Sequence, residues 1–307
     1  MRSHLLATPR LPTLAAALLV VLPQVSTAQS ERKTAAPARQ EAQGTMIDIQ
    51  HMRRPINGID SVWIEELTWL EVRDGLAAGK TVAIIPSGGI EQNGPYLATG
   101  KHNYVMHAMC EAIARELGNA LCAPVLKYVP QGDPASIRYA GTLSLSEETF
   151  RGVLADVATS LKSQGFLDIV LIGDSGGNQN GMAETANLLN EQWRGAARAH
   201  YIAEYYAQDI WSCDYLKSAL GIFQQPDICS SIRNLHHDDV HYSAIVATVD
   251  PEHIRARQRI KAGLYSINGV DLSPTERTIA IGRKLVEYRT GITVRAIRKR
   301  LETVGQP

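Results

Sequence analysis

The chain has 307 residues, of which 45% are hydrophobic and 20% are charged, an ordinary balance for a globular protein that can bury a sizeable core without disulfides or structural metal. Lysine and arginine together number 31, as do aspartate and glutamate, so the formal net charge is zero. This balance excludes the strong charge excess that marks nucleic-acid or membrane-surface partners, and it favours a small-molecule substrate.

The first residues have the features of a secretion signal rather than of folded structure. Arg2 and Arg10 supply a basic start, residues 14–22 form a short apolar run, and Ser26-Thr27-Ala28 offers the small residues that a signal peptidase favours. The apolar run is short for a membrane span, although an uncleaved membrane anchor is the alternative interpretation. The pattern predicts a protein that is periplasmic or secreted.

Three segments follow from this interpretation. Residues 1–28 are predicted to be the signal peptide, and residues 29–45, which are polar and Ala-rich, predict a disordered linker. Residues 46–307 are predicted to form one α/β domain, because the sequence shows no internal repeat and no second linker there. After cleavage we expect no contact with a membrane.

Strands alternate with amphipathic helices along the mature chain. In the first half, the pattern predicts a helix at 63–78, a buried strand at 81–85, a helix that Asn103 caps and Gly118 ends, and a helix that Ser146 caps and Gly165 follows. In the second half, it predicts a strand at 166–172, a tight turn at 173–177, a helix at 182–193, an irregular region at 207–243, a helix through Ala244 and Ala247, and an exposed C-terminal helix at 275–301. This alternation predicts a three-layer α/β/α fold with a mainly parallel central sheet.

Three polar segments lie where the predicted strands end, at residues 87–103, 173–178 and 236–243. Ligands of open α/β sheets gather at the carboxyl edge of the strands. We therefore expect the functional residues in these segments.

Four cysteines are present: Cys110, Cys122, Cys213 and Cys229. None forms a Cys-x-x-Cys spacing, so neither a thiolate zinc site nor a thioredoxin-like motif is supported. Cys213 and Cys229 lie in loop-like sequence and are the predicted pair in an oxidising compartment. Cys110 falls on the apolar side of a predicted helix, where a buried free thiol is expected.

The segment after the first predicted strand carries the clearest candidate for chemistry. Residues 86–97 read PSGGIEQNGPYL, which places Glu91 in a loop punctuated by Gly and Pro. A carboxylate in such a loop can bind a cation, or it can cap a turn.

This segment resembles the signature of the creatininase (creatinine amidohydrolase) family, which reads roughly P-x-G-S-x-E-Q-H-G-P-H-L-P-x-x-T-D. Four further segments resemble the family in the right order: LTWLE at 67–71, YAGTLSL at 139–145, GDSGGN at 173–178 beside the family's N-G-H-G-G-N, and HHDDVHYS at 236–243 beside its H-A-G-E-x-E-T-S. The likeness extends over residues 60–260.

The resemblance implies a creatininase-like three-layer α/β/α fold and a metal-dependent amidohydrolase activity that opens cyclic amides or removes small acyl groups. It also implies assembly as a homo-oligomer, often a hexamer. The metal ligands that it implies are the Glu and His of E-Q-H-G, the Asp of T-D, the His of the H-G-G turn and one further Glu.

At these positions the chain keeps only Glu91. The E-Q-H histidine is Asn93, the T-D aspartate is His102, the H-G-G histidine is Ser175, and the E-T-S glutamate is His241. Glu91, His102 and His241 then form a two-His, one-carboxylate set of the kind that holds one divalent ion, with Zn²⁺ as the first expectation and Fe²⁺ or Mn²⁺ as alternatives. Satisfied hydrogen bonds of the two histidines in a polar pocket are the alternative interpretation.

His236 and Ser175 are the predicted catalytic residues. His236 aligns with the family's catalytic histidine, and a histidine beside carboxylates can transfer protons to and from a reacting group. Ser175 could act as a nucleophile with His236 or His241 as its base. Asn93 and Asn178 are predicted to bind the substrate.

A second motif is typical of a different class of enzyme. Residues 173–177 spell GDSGG, the nucleophile motif of trypsin-like proteases. Those enzymes are all-β proteins, whereas here the motif lies between a predicted strand and a predicted helix, so protease chemistry is not supported.

Three functions are therefore open. The first is a metal-dependent hydrolase of a C–N bond in a small, cyclic or acyclic amide. The second is a non-catalytic binding module that has lost the metal site, which the four changed ligand positions favour. The third is a mononuclear metal enzyme with different chemistry, such as oxygen chemistry at iron.

Overall fold

The computed structural model describes residue 48 and residues 51–207, 209–225 and 237–302. The chain divides into two units, Met1–Met52 and Arg53–Pro307. The larger unit begins within the predicted domain. The predicted signal peptide and linker lie outside the described residues, so both stay predictions.

Four parallel strands form the central sheet. They are β1 Val82–Ser87, β2 Ala120–Cys122, β3 Asp168–Gly173 and β4 Arg198–Tyr201. Their spatial order is β2-β1-β3-β4, with Val82 paired to Ala120 on one side and to Asp168 on the other. Every residue of β1 and β3 is buried, as expected for central strands of a sheet that is covered on both faces.

Helices and short turns make up most of the remaining described chain. The α-helices are α1 Trp69–Ala77, α2 Lys101–Leu117, α3 Glu147–Ser163, α4 Gln179–Trp193, α5 Tyr215–Ser218, α6 Val240–Val249, α7 Ala256–Ala262 and α8 Thr275–Glu302. The 3₁₀ turns are Ile64–Glu66, Pro134–Ser136, Gly176–Asn178, Ala203–Tyr206 and Pro251–Ile254, and a π turn spans Asp209–Asp214. A small antiparallel pair, β5 Ser266–Ile267 and β6 Val270–Asp271, precedes α8. Among the described helices, none has both the length and the apolar character needed to cross a membrane.

The sheet divides the core into two layers. Side chains alternate along each strand, so Ile84 and Val170 pack on one face while Ile85 and Leu171 pack on the other. Helices α2, α6 and α8 cover the first face, and α3 and α4 cover the second. The predicted three-layer α/β/α fold with a mainly parallel sheet is therefore confirmed.

The helix predicted at 63–78 begins later than expected, at Trp69, where Thr68 forms a capping box with Glu71. Two other predicted boundaries are confirmed by local contacts. Ser146 caps α3 by accepting a hydrogen bond from the Thr149 backbone N–H, and Gly118 ends α2 in the left-handed region at φ 79°. Strands β2 and β4 were not predicted, because three or four residues are too few to show a periodic pattern.

The predicted cap of α2 is wrong. The helix begins at Lys101 with Gly100 as its N-cap, so Asn103 lies inside the first turn. There its Oδ1 accepts a hydrogen bond from the Gly89 backbone N–H at 3.0 Å. A Cβ at Gly88 would lie 2.1 Å from that same oxygen, so the loop can approach the helix this closely only without a side chain. Asn103 therefore ties the β1 loop to α2 instead of capping its own helix.

The predicted free thiol at Cys110 is also wrong. Cys110 on α2 forms a disulfide with Cys122 at the end of β2, and both residues are fully buried. The sequence does not reveal this pair, because the packing of α2 against an unpredicted strand brings the two residues together. Cys213 is disulfide-bonded as predicted, and its predicted partner Cys229 lies outside the described residues.

The C-terminal helix α8 is correctly predicted as a helix but wrongly as exposed. It packs against α6 and α2 and buries Leu285, Arg289 and Ile297. A long helix rich in Arg and Lys can expose one face and bury the opposite one. A Cβ at Gly282 would lie 2.1 Å from the carbonyl oxygen of Ala244, so the backbones of α8 and α6 touch at this point.

Replacing Gly282 tests this close packing. Gly282→Ala is expected to lower the free energy of unfolding by about 1–3 kcal/mol, because the new methyl group collides with the backbone of α6. Gly291→Ala is the matched control on the same helix, where the nearest atom is the flexible Arg295 side chain at 3.3 Å. We expect the control to be neutral or slightly stabilising in urea unfolding. Equal destabilisation of both variants would contradict the packing.

Candidate functional site

The candidate site lies at the carboxyl edge of the sheet, where the three predicted polar segments meet. Glu91 follows β1, Asp174 follows β3, and Lys101 and His102 begin α2. His237 comes shortly before α6 and contacts both Glu91 and Lys101. The segment positions were therefore predicted correctly.

A buried histidine joins two carboxylates at this edge. His102 Nε2 lies 2.7 Å from Glu91 Oε1, and His102 Nδ1 lies 2.7 Å from Asp174 Oδ2. All three residues are buried. A carboxylate can only accept a hydrogen bond, so each contact needs a hydrogen on the facing ring nitrogen, which is the imidazolium form. His102 thereby connects the ends of β1 and β3.

A buried lysine lies beside this histidine. The Lys101 side chain is 1% exposed, and its Nζ lies 3.3 Å from Glu91 Oε1 and donates to the His237 carbonyl oxygen at 2.6 Å. The same Nζ lies 4.2 Å from the centre of the Tyr242 ring, within range of a cation–π contact. Burial lowers the pKa of Lys101, while Glu91, Asp239 and Asp174 oppose that change.

Helix α8 supplies the counterion of Asp174. Arg289 Nη2 lies 2.8 Å from Asp174 Oδ1, and neither side chain is exposed. Arg289 Nε also donates to the Tyr205 carbonyl oxygen at 3.1 Å. Burial by itself raises the pKa of Asp174, but the charge of Arg289 and the hydrogen bond and charge of His102 outweigh it, so this pKa is lowered.

Glu91 carries a fixed negative charge. Burial by itself raises its pKa, but the hydrogen bond and charge of His102, together with the charge of Lys101, outweigh burial and lower the pKa of Glu91 from 4.5 to about 2. A carboxylate with so low a pKa is a weak base. It can nevertheless orient and polarise a neighbouring group.

His237 is the half-exposed member of the cluster. Its side chain is 38% exposed, and its Nδ1 lies 3.4 Å from Glu91 Oε1. Its backbone is in the left-handed region at φ 47°, an uncommon conformation for a residue with a side chain and one that occurs at functional sites. Burial lowers the pKa of His237 despite the opposing charge of Glu91, so the ring is neutral near pH 7 and can accept a proton.

The predicted substrate-binding residues anchor the loops with one end of the side chain. Asn93 Nδ2 donates to the carbonyl oxygens of Glu91 and Ala98, and Asn178 Nδ2 donates to those of Ser87 and Gly88. Their other ends are buried atoms without a hydrogen-bond partner among the described residues, as are Ser87 Oγ and Gln131 Nε2. Such atoms commonly mark a place for a ligand or water.

Ser175 lies in the same part of the site. Its hydroxyl donates to Gln131 Oε1 at 3.1 Å, and the residue is buried. In the part of the chain that the structure describes, neither His102 nor His241 is hydrogen-bonded to this hydroxyl, so no activating base is shown for a Ser175 nucleophile.

His241 does not join Glu91 and His102 as a third ligand. Its Nδ1 lies 2.5 Å from Asp239 Oδ1, and its ring packs on Tyr242. Among the residues that the structure describes, no group of three or more His, Cys, Asp or Glu side chains is placed to hold a metal ion. The other predicted catalytic residue, His236, lies outside the described residues, so its role stays a prediction.

The side-chain arrangement does not fit the expected divalent ion. Both ring nitrogens of His102 face carboxylates, so neither presents a lone pair to a metal. Glu91 Oε1 already has nitrogen atoms of His102, Lys101 and His237 within 3.4 Å. Within the described residues, the alternative interpretation of a hydrogen-bonded histidine in a polar pocket agrees better with the geometry of His102.

Sequence reasoning missed four residues of the site, namely His237 and three charged residues. Asp174 had a usable signal, because a carboxylate directly after a buried strand lies at the functional edge of the sheet. Lys101 had a weaker one, since it stands where the family motif has the Thr of T-D. Arg289 had none, because only the packing of α8 brings it to Asp174.

The low pKa of Glu91 predicts acid sensitivity. A carboxylate with a depressed folded-state pKa contributes stability above its ordinary pKa of 4.5, and this stability is lost as the pH falls toward about 2. We expect Glu91→Gln to flatten the pH dependence of unfolding between those values by up to about 3 kcal/mol. Urea unfolding at a series of pH values measures this, and the exposed control Glu65→Gln should keep the wild-type slope. An unchanged slope in Glu91→Gln would contradict the assigned pairing.

Comparison with known proteins supports the resemblance to the creatininase family. The model of the creatininase family, described as creatinine amidohydrolase, matches residues 65–297. The creatinine amidohydrolase of Pseudomonas putida is 30% identical over 139 residues, which span 44% of this chain and 53% of that relative. The chain therefore aligns with about half the length of this curated relative.

Solved structures show the same fold. A crystal structure of creatinine amidohydrolase has 22% sequence identity and a TM-score of 0.53, covering 81% of this chain and 100% of that one. The manganese form of creatininase also has 22% identity and a TM-score of 0.53, with 80% and 100% coverage. Because the family model covers most of the chain and the fold agrees, this chain belongs to the creatininase family.

Proposed function

We propose that this chain hydrolyses a C–N bond in a small, cyclic or acyclic amide. The observation that carries the proposal is the retained family carboxylate, Glu91, held ionised beside the half-exposed neutral ring of His237. The relatives support the reaction class, since the Pseudomonas putida protein is a creatinine amidohydrolase and one solved creatininase variant is complexed with creatine.

His237 is the proton carrier in this proposal. Its Nδ1 faces Glu91, which leaves Nε2 to accept a proton from a water molecule as the water oxygen bonds to the amide carbon. When the C–N bond breaks, the same proton passes to the leaving nitrogen, and the products are a carboxylic acid and an amine. Lys101 holds the strained backbone of His237 through its hydrogen bond to the His237 carbonyl oxygen.

The unpartnered polar atoms match the hydrogen-bonding groups of an amide. Asn93 Oδ1 and Asn178 Oδ1 are acceptors for substrate N–H groups, and Gln131 Nε2 is a donor for a substrate carbonyl. Buried groups of this kind favour ligands that satisfy them, because leaving them unpaired costs free energy. This supports a substrate with several N–H groups and at least one carbonyl.

The proposed hydrolysis contains no metal-dependent step. Relatives are known in a manganese form and in a Zn-Zn form. The zinc expected here at Glu91, His102 and His241 does not fit the described side chains, for the reasons of hydrogen bonding given above.

We also propose that the mature protein is periplasmic or secreted. The N-terminal sequence supports export, and so does the buried disulfide between Cys110 and Cys122, because such bonds persist mainly in oxidising compartments. Assembly as a homo-oligomer, by resemblance a hexamer, remains part of this proposal.

A non-catalytic binding module is the second candidate. It is favoured by one specific observation: of the five family ligand positions, the chain keeps only Glu91, and its carboxylate is paired with Lys101. Such a protein would bind the small amide at the same polar atoms without breaking it. Saturable binding without turnover would distinguish it from the enzyme.

His237→Asn tests the proposed enzyme. On a panel of creatinine, other cyclic amides and small acyclic amides, we expect the wild type to hydrolyse at least one compound, by ring opening or by release of an amine, and the variant to lose about 100-fold or more in kcat on it. KM should change little, since Asn keeps a polar side chain at the pocket. The control is His51→Asn, at an exposed histidine of the other unit. Turnover by His237→Asn at the wild-type rate would exclude His237 as the proton carrier.

A further inference from the structure

The starting observation is the surroundings of the Lys101 side chain. Its Nζ is buried among carboxylates: Glu91 Oε1 lies 3.3 Å away, and Asp174 and Asp239 act on it electrostatically. A buried charge needs a close partner of opposite sign, and Glu91 is that partner at salt-bridge distance, while the charges of Asp174 and Asp239 also favour the ammonium. Lys101 therefore lies where the surrounding carboxylates would also stabilise a bound cation.

Two adjacent residues that differ from the family motif account for the positive charge at this place. Where the family motif reads T-D, this chain reads Lys101-His102. Replacing threonine by lysine adds one positive charge, and replacing aspartate by histidine removes one negative charge. Together the two changes supply at least as much positive charge as one divalent ion, at the start of the same helix.

The same exchange also disperses the acidic groups. His102 lies between Glu91 and Asp174, with 2.7 Å contacts to each, and keeps the two carboxylates from converging on one point. Asp239 is turned toward His241. A divalent ion placed beside Glu91 would also meet the ammonium of Lys101, and two cations in a poorly solvated site repel each other strongly.

We propose that the Lys101 ammonium takes the place of the metal ion, so that the carboxylates of the site are neutralised without divalent metal. The inference deepens the proposed function by defining how its charge is balanced: the small amide is bound at a site that needs no metal ion. It is tested without substrate, so a lack of hydrolysis would count against the proposed function alone.

Metal content is the first measurement. The full chain, isolated after export without added metal or chelator, is expected to hold less than about 0.1 equivalents of Zn, Mn or Fe by elemental analysis. Its Tm should change by less than about 1 °C with either EDTA or ZnCl₂, since nothing in the native state binds the ion. One or two equivalents of metal, with a Tm that falls on chelation, would overturn the proposal.

Lys101→Met tests whether the ammonium is what excludes the ion. Methionine keeps the length of the side chain but leaves Glu91, Asp174 and Asp239 without that charge, so we expect ZnCl₂ to raise the Tm of the variant by several degrees. The matched control is Lys127→Met, at an exposed lysine, and its Tm should not respond to zinc. A folded Lys101→Met that gains no zinc would count against the proposal. If the variant does not fold, the metal content of the wild type still decides.

Discussion

Charge buried at the carboxyl edge of the sheet is the constraint on which the rest of the structure depends. Lys101 and Asp174 are almost inaccessible to solvent, and a buried ion is tolerated only with a close partner of opposite charge. Glu91 after β1, His102 on α2 and Arg289 on α8 provide those partners. The sheet edge, α2 and α8 must therefore keep their relative positions, because moving one of them would leave a charge uncompensated.

The cluster has a buried, ion-paired part and a half-exposed part. Each of its buried ions is paired with a group of opposite charge. His237 lies at the half-exposed rim with its Nδ1 3.4 Å from Glu91 Oε1, and in the proposed function it is the residue that transfers a proton. The family membership and the changed ligand positions agree with this division: the retained Glu91 lies in the β1 loop that the fold uses, while its neighbours differ in charge from the family motif.

Much of the fold could be predicted because its causes are local. Buried strands β1 and β3 appear as apolar runs, and Ser146 and Gly118 mark helix ends by their own hydrogen-bonding and backbone preferences. Motif order identified the family, which the family match confirms. The contact of Glu91 with His102 was also anticipated, although as metal ligation rather than as a hydrogen bond.

The sequence by itself determined the layer architecture, the family and the three segments that form the site, because periodicity, caps and motif order are properties of neighbouring residues. Only the tertiary structure decided the partners of each charge. Arg289 reaches Asp174, Lys101 reaches Glu91, and Cys110 reaches Cys122 through packing between elements distant in the chain or too short to predict. Electrostatic and covalent pairing depends on distances in space, and composition and spacing along the chain do not specify those distances.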